Sequence, residues 1–370
     1  MPPLSIMIKP ASSLCNLRCE YCFYHDVSSH REHPNFGLMN EDTAERVIRS
    51  ALDFANGDSV AFAFQGGEPL LVGKDYFRFF VKTVKRYNLL KSPCYFSVQT
   101  NGTLIDAEWA DFFTENEFLV GLSLDGDRGL NRFRVDENGQ NCFYKVMKAA
   151  EIFKNHGTEF NILTVLTGEN SQKTDRLYRF FRSKGFTHLQ FIPCLRPFGD
   201  TSQSKMYMTS QQYYDFLTTM FNFYAKDFFR GRYTSIRYFD NLVRMSVGEN
   251  PEQCGMCGHC SHQFVVEGNG NVYPCDFYCT DEWLLGNINQ SDFSRLANSK
   301  KAIDFLRESL QGPDKCRSCG YYWLCRSGGC KRQREDTDYC EAYHAFFASC
   351  MPLLNMFRAR GRDGKLKRPK

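Results

Sequence analysis

The chain reads as an α/β protein whose sheet is parallel, open or curled into a partial barrel of six strand–helix units. Two observations predict this. Six apolar stretches of strand length alternate with amphipathic stretches of helical period along the first half of the 370 residues. Strands joined by helical crossovers run parallel, because a short turn cannot return the chain to the same end of the sheet. A third observation limits the fold: near residue 235 the alternation stops and cysteines begin to cluster. The expected division is therefore 1–235 for the sheet domain, 236–350 for a cysteine-rich domain and 351–370 for a basic tail.

The strand candidates are residues 5–8, 60–64, 95–99, 119–124, 160–166 and 188–192, each short, apolar and rich in β-branched or aromatic side chains. Between them, the spacing predicts helices over 42–54, 75–87, 107–116, 143–155 and 173–183, with a further helix from 211 to about 229. In a sheet of this kind functional side chains gather at the C-terminal ends of the strands. Motifs just after each strand therefore carry most weight.

The formal net charge of +4 is small for this length and singles out no polyanionic partner. Arg358, Arg360, Arg362, Lys365, Lys367, Arg368 and Lys370 crowd the C-terminus and read as a solvated end. No basic segment followed by an apolar stretch opens the chain, and no apolar run is long enough to span a bilayer. The expected location is the cytoplasm, where disulfides are reduced. Seventeen cysteines, eleven of them between Cys254 and Cys350, then point to metal ligation.

Directly after the first strand stands Cys15-Asn-Leu-Arg-Cys19-Glu-Tyr-Cys22. Three thiolates on one short loop can hold three corners of a cubane iron–sulfur cluster and leave the fourth iron open. The spacing alone also permits a zinc site with His25 as fourth ligand. The second strand ends in Gln65-Gly66-Gly67-Glu68-Pro69, where two glycines allow close backbone approach. The third ends in Gln99-Thr-Asn101-Gly102 and the fourth in Ser123-Leu-Asp125-Gly126.

In this order the motifs resemble the radical S-adenosylmethionine (SAM) family, whose fold is a partial (β/α)6 barrel. The resemblance implies that Cys15, Cys19 and Cys22 hold a [4Fe–4S] cluster whose open iron binds SAM. It implies SAM contacts from Gly66, Gly67, Glu68 and Pro69, with Tyr21 beside the last cysteine, Ser123 and Asp125 near the ribose, and Arg134 as partner of the SAM carboxylate. Tyr24 follows the loop and either reaches the active site or packs as an aromatic.

The later cysteines are similar to the SPASM extension found on radical SAM enzymes that modify peptides. Cys260 is followed by nine residues, Gly270, four residues and Cys275. Then come Cys316-Arg-Ser-Cys319, five residues, Cys325, four residues and Cys330, with Cys340 beyond. The last spacing of the block is one longer than the family's three, an insertion that Gly328-Gly329 can absorb. The resemblance implies two auxiliary [4Fe–4S] clusters. One would use Cys260, Cys275, Cys330 and either Cys254 or Cys257, with Cys254 favoured; the other Cys316, Cys319, Cys325 and Cys340, with Cys350 as the alternate. Zinc-ribbon ligation is the competing reading of such CxxC pairs. Cys94, Cys142 and Cys194 read as buried fillers, and Cys279 has no assignment.

Asp276 follows Cys275 in Tyr-Pro-Cys275-Asp276-Phe, and a carboxylate there can act as a general base or hold a turn. With CxxxCxxCFY, SLDG and CRSCGYYWLC, this segment resembles the anaerobic sulfatase-maturating enzymes over roughly residues 5 to 350. The implied activity is oxidation of an active-site Cys or Ser of a sulfatase to Cα-formylglycine. The SAM-derived radical would take a Cβ hydrogen, Asp276 the thiol or hydroxyl proton, and an auxiliary cluster the second electron. The implied partners are an unfolded sulfatase segment carrying Cys/Ser-x-Pro/Ala-x-Arg and a flavodoxin or ferredoxin donor. The alternative is a SPASM enzyme that forges thioether or carbon–carbon crosslinks in a ribosomal peptide. Such enzymes commonly carry an N-terminal leader-binding domain, for which Cys15 comes too early.

Overall fold

The computed structural model describes residues 4–336 and 339–362. In chain order the elements are β1 (Leu4–Ile8), α1 (Phe23–Ser29), α2 (Glu41–Ala55), β2 (Val60–Phe64), α3 (Lys74–Tyr87), β3 (Cys94–Thr100), α4 (Ala107–Glu115), β4 (Phe118–Ser123), α5 (Phe143–His156), β5 (Phe160–Leu166), α6 (Thr174–Ser183) and β6 (His188–Pro193). There follow α7 (Ser210–Phe229), β7 (Ser235–Ile236), α8 (Arg237–Ser246), β8 (Gln263–Val266), β9 (Asn271–Tyr273), β10 (Gly286–Asn287), α9 (Phe293–Ala297), α10 (Lys300–Ser309), α11 (Tyr322–Cys325), α12 (Lys331–Asp336) and α13 (Cys340–Arg362). Every strand and helix expected from the apolar pattern is present, with ends shifted by at most one residue.

Local chemistry explains the boundaries. The Asn40 side chain caps α2 by accepting from the Thr43 N–H, and Asp106 caps α4 through Trp109. Thr209 and Gln212 form a reciprocal capping box at the start of α7. Helix α3 buries Tyr76, Phe77, Phe80, Val81 and Val84, one stripe at helical spacing, against the sheet.

The chain divides into two compact units, neither contiguous in sequence. The first comprises Met1–Ser123, Arg132–Phe160 and His262–Leu306. Its strands run in the order β10-β9-β8-β1-β2-β3-β4. Strands β8, β1, β2, β3 and β4 are parallel, while β9 and β10 turn back antiparallel. The register aligns Ile8 with Phe64 on one side and with Val266 on the other. Residues 9, 65 and 267 therefore sit level, one step beyond three adjacent strand ends. Fully buried Phe62, Phe64, Phe77, Phe80, Phe113 and Phe118 fill the layer between sheet and helices.

The second unit comprises Leu124–Asn131, Asn161–Ser261 and Arg307–Lys370. Its strands β5, β6 and β7 are parallel. Its core includes Phe181, Phe221, Phe239 and Phe346. Helix α13 lies against α7 and α8 and buries Leu354 and Phe357. The stretch from 351 to Arg362, expected as part of a basic tail, is thus packed helix, because two apolar side chains of the basic run find the α7–α8 face. Lys365, Lys367, Arg368 and Lys370 lie outside the described residues. Among the described residues no helix is long and apolar enough to cross a membrane.

Candidate functional site

The cysteine loop springs from β1. Backbone bonds tie it to residues 133–136: the Arg18 N–H donates to the Val135 carbonyl at 2.7 Å and the Glu20 N–H to that of Phe133 at 3.1 Å. That pairing brings Arg134 beside Tyr21, with the guanidinium carbon 5.4 Å from the ring centroid. Cys15, Cys19 and Cys22 are all half-buried. The Leu17 N–H points at the Cys15 sulfur at 3.4 Å, and the Asn101 side-chain amide lies 3.8 Å from it. Soft sulfur donors on one loop, with N–H groups directed at a sulfur, suit an iron–sulfur cluster. His25, the fourth ligand a zinc reading needs, sits exposed on α1.

The motif after β2 does more structural work than its glycines suggested. Gly66 and Gly67 have φ of +97° and +54°. A Cβ on Gly67 would stand 2.1 Å from the Leu14 carbonyl oxygen, and one on Gly66 would meet the Lys9 side chain at 2.6 Å. The close approach is thus to this chain's own cysteine loop, which Gly67 allows to lie on the strand end. Glu68 is 0% exposed. Its carboxylate accepts from the Thr100 hydroxyl, the Asn101 N–H and the Leu70 N–H at 2.8, 2.8 and 3.1 Å. Burial pushes this carboxyl up to about 7, against the pull of those donors. Pro69 is buried at the start of a short helical turn. Asn101 in turn donates to Asn16 at 2.8 Å, so the motifs after β2 and β3 brace the loop after β1.

Gln99 crosses the face of β4 over Gly121, where a Cβ would strike its amide, and donates to the Ser123 hydroxyl at 2.9 Å. Asp125 belongs to the second unit, is fully buried and accepts from the Val165 N–H at 3.0 Å.

A polar cluster occupies the ends of β8, β1 and β2. The Tyr24 hydroxyl, on α1, donates to Asp276 Oδ2 at 2.7 Å and accepts from Gln65 Nε2 at 2.5 Å. Lys9 Nζ lies 2.9 Å from Asp276 Oδ1, 3.3 Å from Cys279 Sγ and 3.5 Å from Glu267, and 4.9 Å from the Tyr24 ring centroid. Glu267 also pairs with Arg31 at 2.7 Å. Two buried cations thus face two buried carboxylates, the balance that makes charge tolerable in an interior. Burial alone would lower the Lys9 pKa, but Asp276, Cys279 and Glu267 outweigh it and hold it above the usual lysine value. Burial, reinforced by Asp276, drives the Tyr24 phenol well up. Burial pushes the Cys279 thiol up to about 12. Sequence reasoning missed Lys9 and Glu267. Their one signal was a lone charge directly after an apolar run.

In the second unit several of the later cysteines are neighbours of one another. Cys254 has Cys330, Cys260 and Cys257 as neighbours, and Cys257 also has Arg326 beside it. Cys325 interacts with Cys340, Cys316 and Cys319, while buried Cys350 donates to the Phe347 carbonyl at 3.7 Å. Cys275 belongs to the first unit. All four residues between Cys325 and Cys330 have positive φ: Arg326 +46°, Ser327 +60°, Gly328 +76° and Gly329 +76°. This left-handed turn takes up the extra residue. It presses Gly329 so close to Gly255 that a Cβ would stand 1.6 Å from the Gly255 oxygen.

The radical SAM superfamily matches residues 10–181, and an iron–sulfur cluster-binding domain matches 254–320. A cysteine-type anaerobic sulfatase-maturating enzyme of Clostridium novyi is 45% identical over 94% of this chain and 95% of its own. A serine-type counterpart from Bacteroides thetaiotaomicron is 29% identical over 96% of this chain and 91% of its own. A solved structure, native anSMEcpe with bound AdoMet and Cp18Cys peptide, superposes with a TM-score of 0.91 at 41% identity, covering 97% of this chain and 99% of that one.

Proposed function

This chain belongs to the anaerobic sulfatase-maturating enzymes of the radical SAM superfamily, and from that membership we propose that it is a cysteine-type enzyme that converts a sulfatase cysteine to formylglycine. The family likeness carries the reaction: a radical SAM oxidation at the Cβ of a Cys or Ser side chain, with three [4Fe–4S] clusters and SAM as cofactors. The preference for cysteine rests on one observation, the 45% identity to a cysteine-type enzyme against 29% to a serine-type one.

Bound clusters and SAM supply hydrogen-atom abstraction from the substrate Cβ and an outlet for the second electron. The chain's own residues do the rest. Cys15, Cys19 and Cys22 hold the SAM-binding cluster, on a loop braced by Gly67, Glu68 and Asn101. Tyr21, Gly66, Ser123 and Arg134 line the SAM site, with Arg134 held beside Tyr21 to pair with the SAM carboxylate. Pro69 and Asp125 are buried, and Asp125 holds the backbone of β5 through the Val165 N–H. The family's cysteine pattern assigns Cys254, Cys260, Cys275 and Cys330 to one auxiliary cluster, and Cys316, Cys319, Cys325 and Cys340 to the other. The electrostatic neighbours of Cys254 and Cys325 support this choice over Cys257 and Cys350.

Asp276 is the general base. It is 5% exposed and held by Tyr24, Gln65 and Lys9. The incoming thiol displaces the Tyr24–Gln65 end and gives its proton to Oδ2. Loss of that proton, one hydrogen atom and one electron leaves a thioaldehyde, which water hydrolyses to the aldehyde and hydrogen sulfide. The substrate is an extended, unfolded sulfatase segment with a Cys-x-Pro/Ala-x-Arg pattern. The donor is a flavodoxin or ferredoxin. Oxygen-labile clusters and a cysteine-rich chain support a reducing cytoplasm as its location.

The test is anaerobic mass spectrometry of reconstituted enzyme with SAM, a reductant and matched Cys-x-Pro-x-Arg and Ser-x-Pro-x-Arg peptides. A loss of about 18 mass units from the Cys peptide, with 5′-deoxyadenosine released and slower loss of about 2 units from the Ser peptide, is the expected result. Faster turnover of the Ser peptide would overturn the cysteine assignment. SAM cleavage with both peptides unchanged would favour peptide crosslinking.

A further inference from the structure

We propose that Lys9 is a positioning residue for Asp276: its buried ammonium clamps Oδ1 and so aims Oδ2 at the place where substrate is deprotonated. The proposal deepens the reading of Asp276 as general base and rests on it.

Geometry carries the argument. Lys9 is the first residue beyond β1 and is 2% exposed. Its backbone N–H donates to the Val266 carbonyl at 2.8 Å, which fixes where its side chain starts. Its ammonium then meets three groups of one short stretch of chain: Glu267 at 3.5 Å, Asp276 Oδ1 at 2.9 Å and Cys279 Sγ at 3.3 Å. A charge so buried is retained only where its partners are in place. Arg31 meets the same Glu267 oxygen, Oε1, at 2.7 Å, so a second buried cation holds the carboxylate on which Lys9 rests.

The two oxygens of Asp276 are held differently. Oδ1 faces Lys9 alone among the contacts described. Oδ2 faces Tyr24 at 2.7 Å and Gln65 at 3.5 Å. Tyr24 stands on α1, two residues past Cys22, and Gln65 directly before the Gly66-Gly67 turn. The Oδ2 side is therefore the side of the SAM-binding loop, where a substrate Cβ must lie for hydrogen abstraction. A carboxylate free to rotate about its Cβ–Cγ bond would swap its oxygens and wander by an ångström or more. Misplacement of that size lowers a proton transfer by about a hundredfold. Cys279 closes the remaining side of the ammonium, which gives this otherwise unassigned cysteine a role as a small, soft wall.

The experiment compares wild type with Lys9→Met, Asp276→Asn and the double variant, each reconstituted anaerobically and checked for iron content and melting temperature. The readouts are formylglycine formed per 5′-deoxyadenosine released, and the split between kcat and KM for a Cys-x-Pro-x-Arg peptide. Lys9→Met is expected to lower that ratio and kcat about 10- to 100-fold with KM changed less than about threefold. Lys9→Arg, which keeps the charge, is expected to recover part of the loss. The double variant, which removes the ion pair as a unit, is expected to match Asp276→Asn alone, because Lys9 acts only through Asp276. If Lys9→Met fails to take up clusters, the double variant decides: a further tenfold loss below Asp276→Asn overturns the proposal. An undiminished ratio in Lys9→Met, with Asp276→Asn impaired, overturns the role of Lys9 alone. An undiminished ratio in Asp276→Asn overturns the general base itself.

Discussion

Gly67 and Glu68 show how much a short motif after a strand has to satisfy at once. Gly67 adopts a left-handed conformation and admits the Leu14 carbonyl where a Cβ would be. Gly67→Ala is expected to displace the cysteine loop, at a cost of about 2 kcal/mol or more. The variant should lose about four of about twelve irons, read by iron analysis, while the auxiliary clusters remain. Glu68 binds its proton more tightly when folded than the ordinary value of 4.5, near 7. Its contribution to stability is therefore present below pH 4.5 and falls as pH rises toward 7. On the order of 3 kcal/mol is lost over that span. Thermal melts of Glu68→Gln from about pH 5 to about pH 8 should lack this slope. The Gly-Gly-Glu-Pro segment was legible as a motif, but its partners were not. Leu14 lies far from Gly67 in sequence, and only the β1–β2 pairing brings the two together.

At the level of elements, the turn between Cys325 and Cys330 makes an irregular spacing workable. Two non-glycine residues, Arg326 and Ser327, take positive φ there, at roughly 1 kcal/mol each. The cluster ligands on either side have to over-determine that strain. Gly329→Ala is expected to break the contact with Gly255 and deplete the auxiliary clusters, leaving SAM cleavage by the N-terminal cluster; Mössbauer or EPR spectra of the reduced protein would show which signals survive. Cys257→Ser is expected to keep its full iron content, whereas Cys254→Ser should lose an auxiliary cluster. The reverse pattern would reassign the ligand. Spacing alone left that choice open, because both cysteines lie on one short loop and only their neighbours distinguish them.

Across the whole molecule the two units differ in what holds them. The first has a sheet packed on aromatic helices, with Phe62, Phe64, Phe77, Phe80 and Phe118 in mutual ring contact. In the second, residues 310–323 are exposed or half-buried throughout, with short helical turns and no buried side chain before Leu324. Such a stretch cannot repay its ordering entropy by apolar burial, so its ligands must supply the difference. Removal of the clusters by chelation is therefore expected to open this region to trypsin at Lys315, Arg317 and Arg326 while the first unit resists. Limited proteolysis before and after iron removal would show equal cleavage if the ligands contributed nothing.

Strand positions, helix positions and the cysteine motifs were written in local pattern: apolar period, turn residues and ligand spacing act over a few positions and can be read without the fold. The placement of residues 262–306 in the same unit as β1 could not be read this way. That stretch joins the sheet through backbone pairing of β8 with β1, which any short apolar strand can offer and no local signal specifies. The same pairing sets Glu267, Asp276 and Cys279 around Lys9. A lysine after an apolar strand reads as solvated until the carboxylates that bury it arrive from more than 250 positions away, and only long-range packing brings them there.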